Sequence, residues 1–454
     1  MSPEPPAAAP PGSRRFLVTS LLFALTFGTL LGALTLAALT APVGALVALP
    51  IYAARMAHAH AQVFGFAALF IMGVAYHALP RLVATPLAMP PLVGASYWLQ
   101  SGGVLAIAVG AFVAEPLGPA LHIAGAAALV LAAIAFAVVI GGTFAAGKTP
   151  AERIETWLLA GCAWLVVASV LALAVACGFT ALVPAMWDAA LYGFAASWIF
   201  GFGLRMLPAF LHLHAATGWR RAVALMYQAA VLGWVGVVAL WPTTPLPAAR
   251  VLAGAALCAA VLVYVVRLGI ATSPPRPGER LAGRFFEAAY GWLLVWVVCV
   301  PAASAVAAYR GGEVPPALID FGRHAFTFGF LTQMIIGVAL RILPALSGAA
   351  LWSSAWRDAT FWLLNGTVAL RGLQVVVAFG GPPLLWPFTA VSGALGVAAF
   401  VAFTVNLAMT LSGAGGSASG ASVGGPPASG ASDRGLPPVG RGFRPAGGAE
   451  APPH

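Results

Sequence analysis

Charged residues are scarce in this sequence: they make up 7% of the chain, whereas apolar residues make up 61%. Soluble domains carry about 25% charged residues. The shortage excludes a soluble globular fold, and the apolar excess predicts an integral membrane protein in contact with the lipid bilayer.

Cysteine is also rare. The four cysteines, Cys162, Cys177, Cys258 and Cys299, all lie inside predicted membrane spans, and none belongs to a C-x-x-C pair. A disulfide framework or a cysteine zinc site therefore has no support. We expect these side chains to be small buried apolar groups.

Acidic residues are fewer than basic ones, 12 against 22, which gives a net charge of +10. The basic residues are scattered over short loops, so no nucleic-acid partner is expected. Seventeen of them lie at or near one predicted membrane face and five lie elsewhere. Basic residues accumulate on the cytoplasmic side. The bias predicts a multi-pass protein of the bacterial inner membrane with both termini in the cytoplasm.

Runs of about 20 apolar residues mark membrane-spanning helices. The sequence contains twelve such runs, near residues 16–40, 58–80, 92–114, 118–142, 156–180, 185–208, 221–241, 248–270, 284–309, 318–343, 355–380 and 385–411. Residues 1–15 are predicted to be a cytoplasmic N-terminal segment and residues 16–411 the transmembrane domain. The tail, residues 412–454, is rich in Gly, Pro and Ser and is predicted to be disordered.

The second, sixth and tenth spans repeat one template: an aromatic residue, Gly and Phe, then four residues, Ile, one residue and Gly, with a closing Leu-Pro. The copies run over residues 64–80, 192–208 and 328–344. Because the copies are four spans apart, they are parallel. The predicted fold is an all-α polytopic membrane protein, with twelve helices in three four-helix units related by pseudo-threefold symmetry. The second, sixth and tenth helices are expected to line the centre of the bundle.

Each copy carries two ionisable positions 17 residues apart. The positions near the outer face are His60, Asp188 and His324, and those near the inner face are His77, Arg205 and Arg341. Seventeen residues of helix span roughly 25 Å. Ionisable residues inside membranes usually mark a functional site. The inner set is either interfacial anchoring or a ring of cations that binds an anion or carries protons.

Two spans bring histidines to matched depth. The second begins with His58-Ala59-His60, and the tenth contains His324. Two opposed imidazoles can hold a haem in a helical bundle. Residues two apart lie about 200° apart around a helix, so one of His58 and His60 faces His324. We favour His60, the equivalent of His324, and expect template glycines to make room for the ring: Gly65, Gly73, Gly329 and Gly337. Interfacial hydrogen-bonding histidines are the alternative.

Two other features bear on metal or cofactor binding. His212 and His214 follow the sixth span, at a spacing that suits copper or zinc chelation in an extended segment; a solvated loop pair is the alternative. Arg371 lies inside the eleventh span, where an unpaired charge is costly. A haem propionate, Asp320 or Asp188 are the candidate partners.

The segments His58–Phe66, Gly73–Pro80 and Arg323–Gly329 resemble the NnrS family. That family is similar in layout to the catalytic subunits of haem-copper oxidases and nitric oxide reductases. The resemblance implies twelve helices, a b-type haem with copper as a further candidate, and a role linked to nitric oxide, nitrosative stress or electron transfer with a redox partner. It covers the second and tenth spans well and the sixth in part.

By the same resemblance, the low-spin haem takes one histidine from the second helix and one from the tenth. The second haem and copper of those enzymes need more histidines on helices six, seven and ten, which this chain lacks. Three functions follow. The preferred one is a haem protein of nitric oxide metabolism or electron transfer. The alternatives are a divergent nitric oxide reductase or terminal oxidase catalytic subunit, and a cofactor-free permease.

Overall fold

The computed structural model describes residues 13–40, 49–150, 154–211, 213, 217–240, 247–270, 280–310, 316–347 and 349–413. These residues form helices joined by turns and loops, without strands. Within the described ranges, twelve helices are long and apolar enough to cross a membrane: α1 Arg14–Ala38, α2 Ile51–Leu82, α3 Pro90–Gly110, α4 Leu117–Ala145, α5 Glu155–Ala176, α6 Thr180–Leu211, α7 Arg220–Leu240, α8 Pro247–Leu268, α9 Gly283–Tyr309, α10 Pro316–Ile342, α11 Ser354–Ala378 and α12 Pro383–Leu411. The predicted all-α membrane fold is confirmed. The N-terminal segment and the tail lie mostly outside the described residues.

The template helices α2, α6 and α10 are the most buried. In their apolar stretches 78%, 61% and 67% of the residues are buried, against at most 50% in the other nine helices. Among the described helices, the three template helices therefore occupy the interior of the bundle, as the repeat predicts.

Equivalent residues of the three copies meet around one axis. A small cavity is lined by the template isoleucines, which are Ile71, Ile199 and Ile335. Val74, Phe202 and Val338, which share the position three residues further on, also line it. The three central helices thus pack at the same height around a pseudo-threefold axis. The grouping of all twelve helices into four-helix units stays a prediction.

The helix before each template helix packs on it in a repeated way. A Cβ added to the first template glycine would lie 2.5–2.8 Å from an aromatic side chain of that preceding helix. The pairs are Gly65 with Phe23 of α1, Gly193 with Trp164 of α5, and Gly329 with Trp292 of α9. These glycines therefore allow close helix packing, and they do not open a slot for a haem as the sequence suggested.

A π-helical turn follows the outer polar residue in each copy. The turns are Ala61–Ala68, Ala189–Ala195 and Ala325–Thr332, and they begin directly after His60, Asp188 and His324. Two of them have a carbonyl at the same repeat position bound by a neighbouring helix: Gln100 donates to Phe64 O at 2.9 Å, and Tyr227 to Tyr192 O at 2.6 Å. π-turns concentrate at functional sites.

The Leu-Pro pairs were expected to end the helices, and this prediction is wrong. Pro80, Pro208 and Pro344 lie inside helices that continue to Leu82, Leu211 and Ser347. Each proline is near the C-terminal end of its helix, where it removes one N–H donor to the carbonyl four residues earlier, and at most three helical residues follow it. Beyond each proline the chain turns in the same way, because the proline carbonyl accepts a hydrogen bond at 3.1 Å from the N–H five residues later.

One cysteine differs from the expectation. Cys162, Cys258 and Cys299 are buried, but Cys177 is exposed. It directly follows the helix Glu155–Ala176, as its C-cap. The apolar run therefore extends past the helix into a turn, so hydropathy alone placed Cys177 inside the span.

Candidate functional site

A large cavity lies between α1, α2, α10, α11 and α12 at the His60 end of the central helices. Its volume is about 840 Å³, within the range of about 300–1,000 Å³ typical of small-molecule and cofactor sites. His58 of α2 and His324 of α10 both line it. The cavity thus brings together one histidine from each of the two helices that the sequence predicted.

His58 is held by the first helix. Its Nδ1 lies 2.8 Å from the carbonyl oxygen of Gly28 in α1. A Cβ at Gly32, one turn further along α1, would lie 2.6 Å from the imidazole. Glycine at position 32 therefore gives the ring its space, while Gly28 fixes its direction.

His324 is held within its own helix. Its Nδ1 lies 2.8 Å from the carbonyl oxygen of Asp320 and 3.5 Å from the carboxylate Oδ2 of the same residue. A carbonyl oxygen only accepts hydrogen bonds, so Nδ1 of His324 donates, and the same holds for His58. In the neutral form each ring then carries its lone pair on Nε2, and ligating histidines are usually oriented in this way.

His60, which the sequence favoured as the ligand, does not line this cavity. Its ring is buried, stacks on Phe64 at 5.9 Å and meets the edge of Trp187 at 4.8 Å. Trp187 belongs to α6 and itself lines the cavity. Residues at the same repeat position of helices arranged around an axis point into separate spaces that the rotation relates. His60 and His324 therefore need not point into one cavity. His60 therefore faces α6, and His58, about 200° around the helix, shares the cavity with His324.

Arg371 has a carboxylate partner at the cavity wall. Its Nη2 and Nε donate to Oδ2 of Asp320 at 2.8 and 3.0 Å, and Gln374 Nε2 donates to the same oxygen at 2.7 Å. Asp320 was one of the three partners that the sequence offered. The carboxylate that supports His324 is thus itself fixed by α11.

Asp188 binds the residue next to His324. Its Oδ1 accepts from Arg323 Nη2 at 3.3 Å, and its Oδ2 accepts from the indole N–H of Trp234 at 2.9 Å. Asp188 is buried, whereas Arg323 lines the cavity. Asp188 of α6 therefore holds Arg323, a cationic residue of the cavity wall, in place.

Removing this anchor should weaken the bundle. We expect Asp188→Asn to lower the free energy of unfolding by about 1–3 kcal/mol, because Arg323 loses its charged acceptor. Thermal unfolding of the purified protein in detergent measures the effect. The matched control is Glu115→Gln at an exposed loop position. Equal midpoints for the two variants would contradict the anchoring role.

The cavity is positively charged. Four arginines of the described chain line it: Arg55, Arg310, Arg323 and Arg371. Two carboxylates balance them in part, Asp320 in the wall and Asp188 bound to Arg323. Counted over the described residues, two positive charges remain, and exposed Arg55 and Arg310 have no acidic partner among those residues. The site suits a dianionic ligand with an apolar body.

The inner polar positions have separate surroundings. Arg341 lies over the ring of Phe210 at 4.7 Å, Arg205 is exposed, and His77 lies one turn before Arg81 and accepts a hydrogen bond from it through its backbone carbonyl. No contact joins His77 to Arg341 in the described part of the chain. The interpretation of these residues as one functional ring stays a prediction.

Among the residues that the structure describes, no three His, Cys, Asp or Glu side chains cluster as a metal site would require. His212 and His214, the candidates for copper, lie outside the described residues. A haem held by two histidines needs only two protein nitrogens, so the pair His58 and His324 requires no third ligand.

Sequence reasoning missed the contribution of α1. Gly28 and Gly32 are four residues apart and face Gln62 and His58, which are also four apart. A Cβ at Gly28 would lie 2.8 Å from the Gln62 amide nitrogen. Small residues at this spacing are typical of close packing between membrane helices. The G-x-x-x-G pattern in the first span was the available signal.

Comparison with known proteins gives one family. The model of the family described as NnrS protein matches residues 14–414, nearly the whole chain. No curated protein matches the sequence.

Proposed function

Because the chain belongs to the NnrS family, we propose that it is a haem-binding integral membrane protein linked to nitric oxide metabolism. The observation that carries the proposal is the 840 Å³ cavity with His58 and His324 in its walls. These two residues would ligate the iron. A bound haem would supply one-electron redox chemistry and an iron centre that can interact with nitric oxide.

The chemistry of the cavity supports this assignment. Both imidazoles donate through Nδ1 to carbonyl oxygens, which leaves Nε2 for iron. Val63, Phe66 and Phe328 supply apolar walls for a macrocycle. The surplus of two positive charges matches the two propionates of a haem, and Arg55 and Arg310 are the arginines that would bind them.

The copper-dependent alternative is less well supported. A reductase of the haem-copper type needs further histidines on helices six and seven. Helix α7, Arg220–Leu240, contains none, and α6 contains none from Thr180 to Leu211. The structure describes both helices. The permease alternative requires the inner polar positions to act together, and His77 and Arg341 make no mutual contact in the described chain.

We also propose that the protein spans the bacterial inner membrane with both termini in the cytoplasm. The distribution of basic residues over the loops supports this orientation. The large cavity lined by His58 and His324, called the haem cavity below, is at the His60 end of the bundle. It would then lie toward the periplasmic side, where a redox partner or nitric oxide would reach it.

An absorption spectrum of the purified full-length protein, with a count of iron and copper, tests the proposal. We expect a low-spin haem spectrum, about one iron per chain and no stoichiometric copper. Two haems with copper would favour the reductase, and a protein without haem absorption after haem-supplemented expression would favour the permease. Either result would overturn the proposed function.

A further inference from the structure

The small cavity lined by Ile71, Ile199 and Ile335 lies on the pseudo-threefold axis, where α2, α6 and α10 meet. It is called the axial cavity below. Its volume is about 60 Å³, and a cavity needs only about 10–15 Å³ to hold one water. Twelve of the described residues line it, and all of these are apolar or aromatic except one glycine. The indole nitrogen of Trp198 does not change this, because it lies against Gly161 of α5.

The lining favours a small apolar guest over water. A buried water typically makes about three hydrogen bonds, which this lining does not offer, whereas enclosed apolar cavities stay dry and take up xenon or similar guests. Ile71, Ile199 and Ile335 are buried, while Val74 and Phe202, nearer the His77 end, are half-buried. The cavity is therefore closed toward the haem cavity and more accessible at its other end.

The two cavities are close neighbours along the central helices. Phe66 and Leu331 line the haem cavity, whereas Phe70 and Ile335, each four residues later, line the axial cavity. One helical turn, about 6 Å, separates these positions. The rings of Phe66 and Phe70 are 6.3 Å apart, centroid to centroid, so on α2 two aromatic side chains separate the cavities.

We propose that the axial cavity is a docking site for a small, neutral, apolar gas molecule of the class of nitric oxide and dioxygen. Such gases concentrate in the apolar core of a bilayer, which surrounds the bundle of twelve helices. The docking site rests on the cavity alone. Its use as a reservoir beside the haem rests on the proposed function.

Diffraction from crystals of the full-length protein pressurised with xenon tests the site. We expect one xenon peak between Ile71, Ile199 and Ile335. Ile199→Phe should fill the cavity and remove the peak, whereas the matched control Ile134→Phe, at a position 44% exposed on α4, should keep it. Ile335→Phe replaces Ile199→Phe if that variant does not insert.

Equilibrating the crystals with nitric oxide or with dioxygen before xenon distinguishes the sources. We expect both gases to lower the xenon occupancy, because an apolar lining selects by size and polarity and not by identity. Lower occupancy with nitric oxide alone would assign the site to that gas. No xenon peak, or a peak that survives filling and both gases, would overturn the proposal. A missing haem spectrum would contradict only the proposed function.

Discussion

His58→Gln is expected to abolish the low-spin haem spectrum, while His60→Gln leaves it in place. Of the histidines that the structure describes, only His58 shares the large cavity with His324, and His60 is enclosed by Phe64 and Trp187. Loss of a residue that only hydrogen-bonds a metal ligand already lowers metal affinity about 10–100-fold. Loss of the ligand itself should lower the affinity at least as much. Haem content per chain and the spectrum of the purified variants measure the effect.

The two substitutions are matched in size and polarity and lie two residues apart on one helix. His324→Gln should behave as His58→Gln does, and His77→Gln should retain haem because it lies roughly 25 Å along the helix from His60. If His60→Gln lost the spectrum and His58→Gln kept it, the ligand assignment would be reversed and the cavity would not be the haem site.

The repeat made much of the fold predictable. Template residues at fixed spacing identified α2, α6 and α10 as the interior helices, and hydropathy located all twelve spans. The choice between His58 and His60 was not predictable from the repeat. Equivalent positions face equivalent spaces around an axis, and the sequence does not state which space is wide enough for a ligand.

Contacts between distant residues were predictable only in part. Arg371 needed an acidic partner because charge inside a membrane is costly, and Asp320 was among the candidates. The pairing of Arg323 with Asp188, 135 residues away, had no local signal. The same is true of the π-turns, since their hydrogen bonds depend on side chains of neighbouring helices such as Gln100 and Tyr227.

Gly32→Ala is expected to weaken haem binding without unfolding the bundle. The new Cβ would lie 2.6 Å from the His58 imidazole, so the ring must move and strain its 2.8 Å hydrogen bond to Gly28 O. Overpacking of this kind costs about 1–3 kcal/mol, which corresponds to about 5- to 150-fold in affinity. Titration of haem into the haem-free protein measures the dissociation constant.

Gly102→Ala is the matched control, because a Cβ on Gly102 of α3 meets nothing within 4 Å. Its affinity for haem should equal that of the unmodified protein. Thermal unfolding of both haem-free variants separates a shifted ligand from a damaged bundle: we expect the Gly32→Ala midpoint to change much less than its haem affinity. Equal haem affinities in the two glycine variants would show that α1 does not position His58 for the iron, and the support that we assign to Gly28 and Gly32 would be wrong.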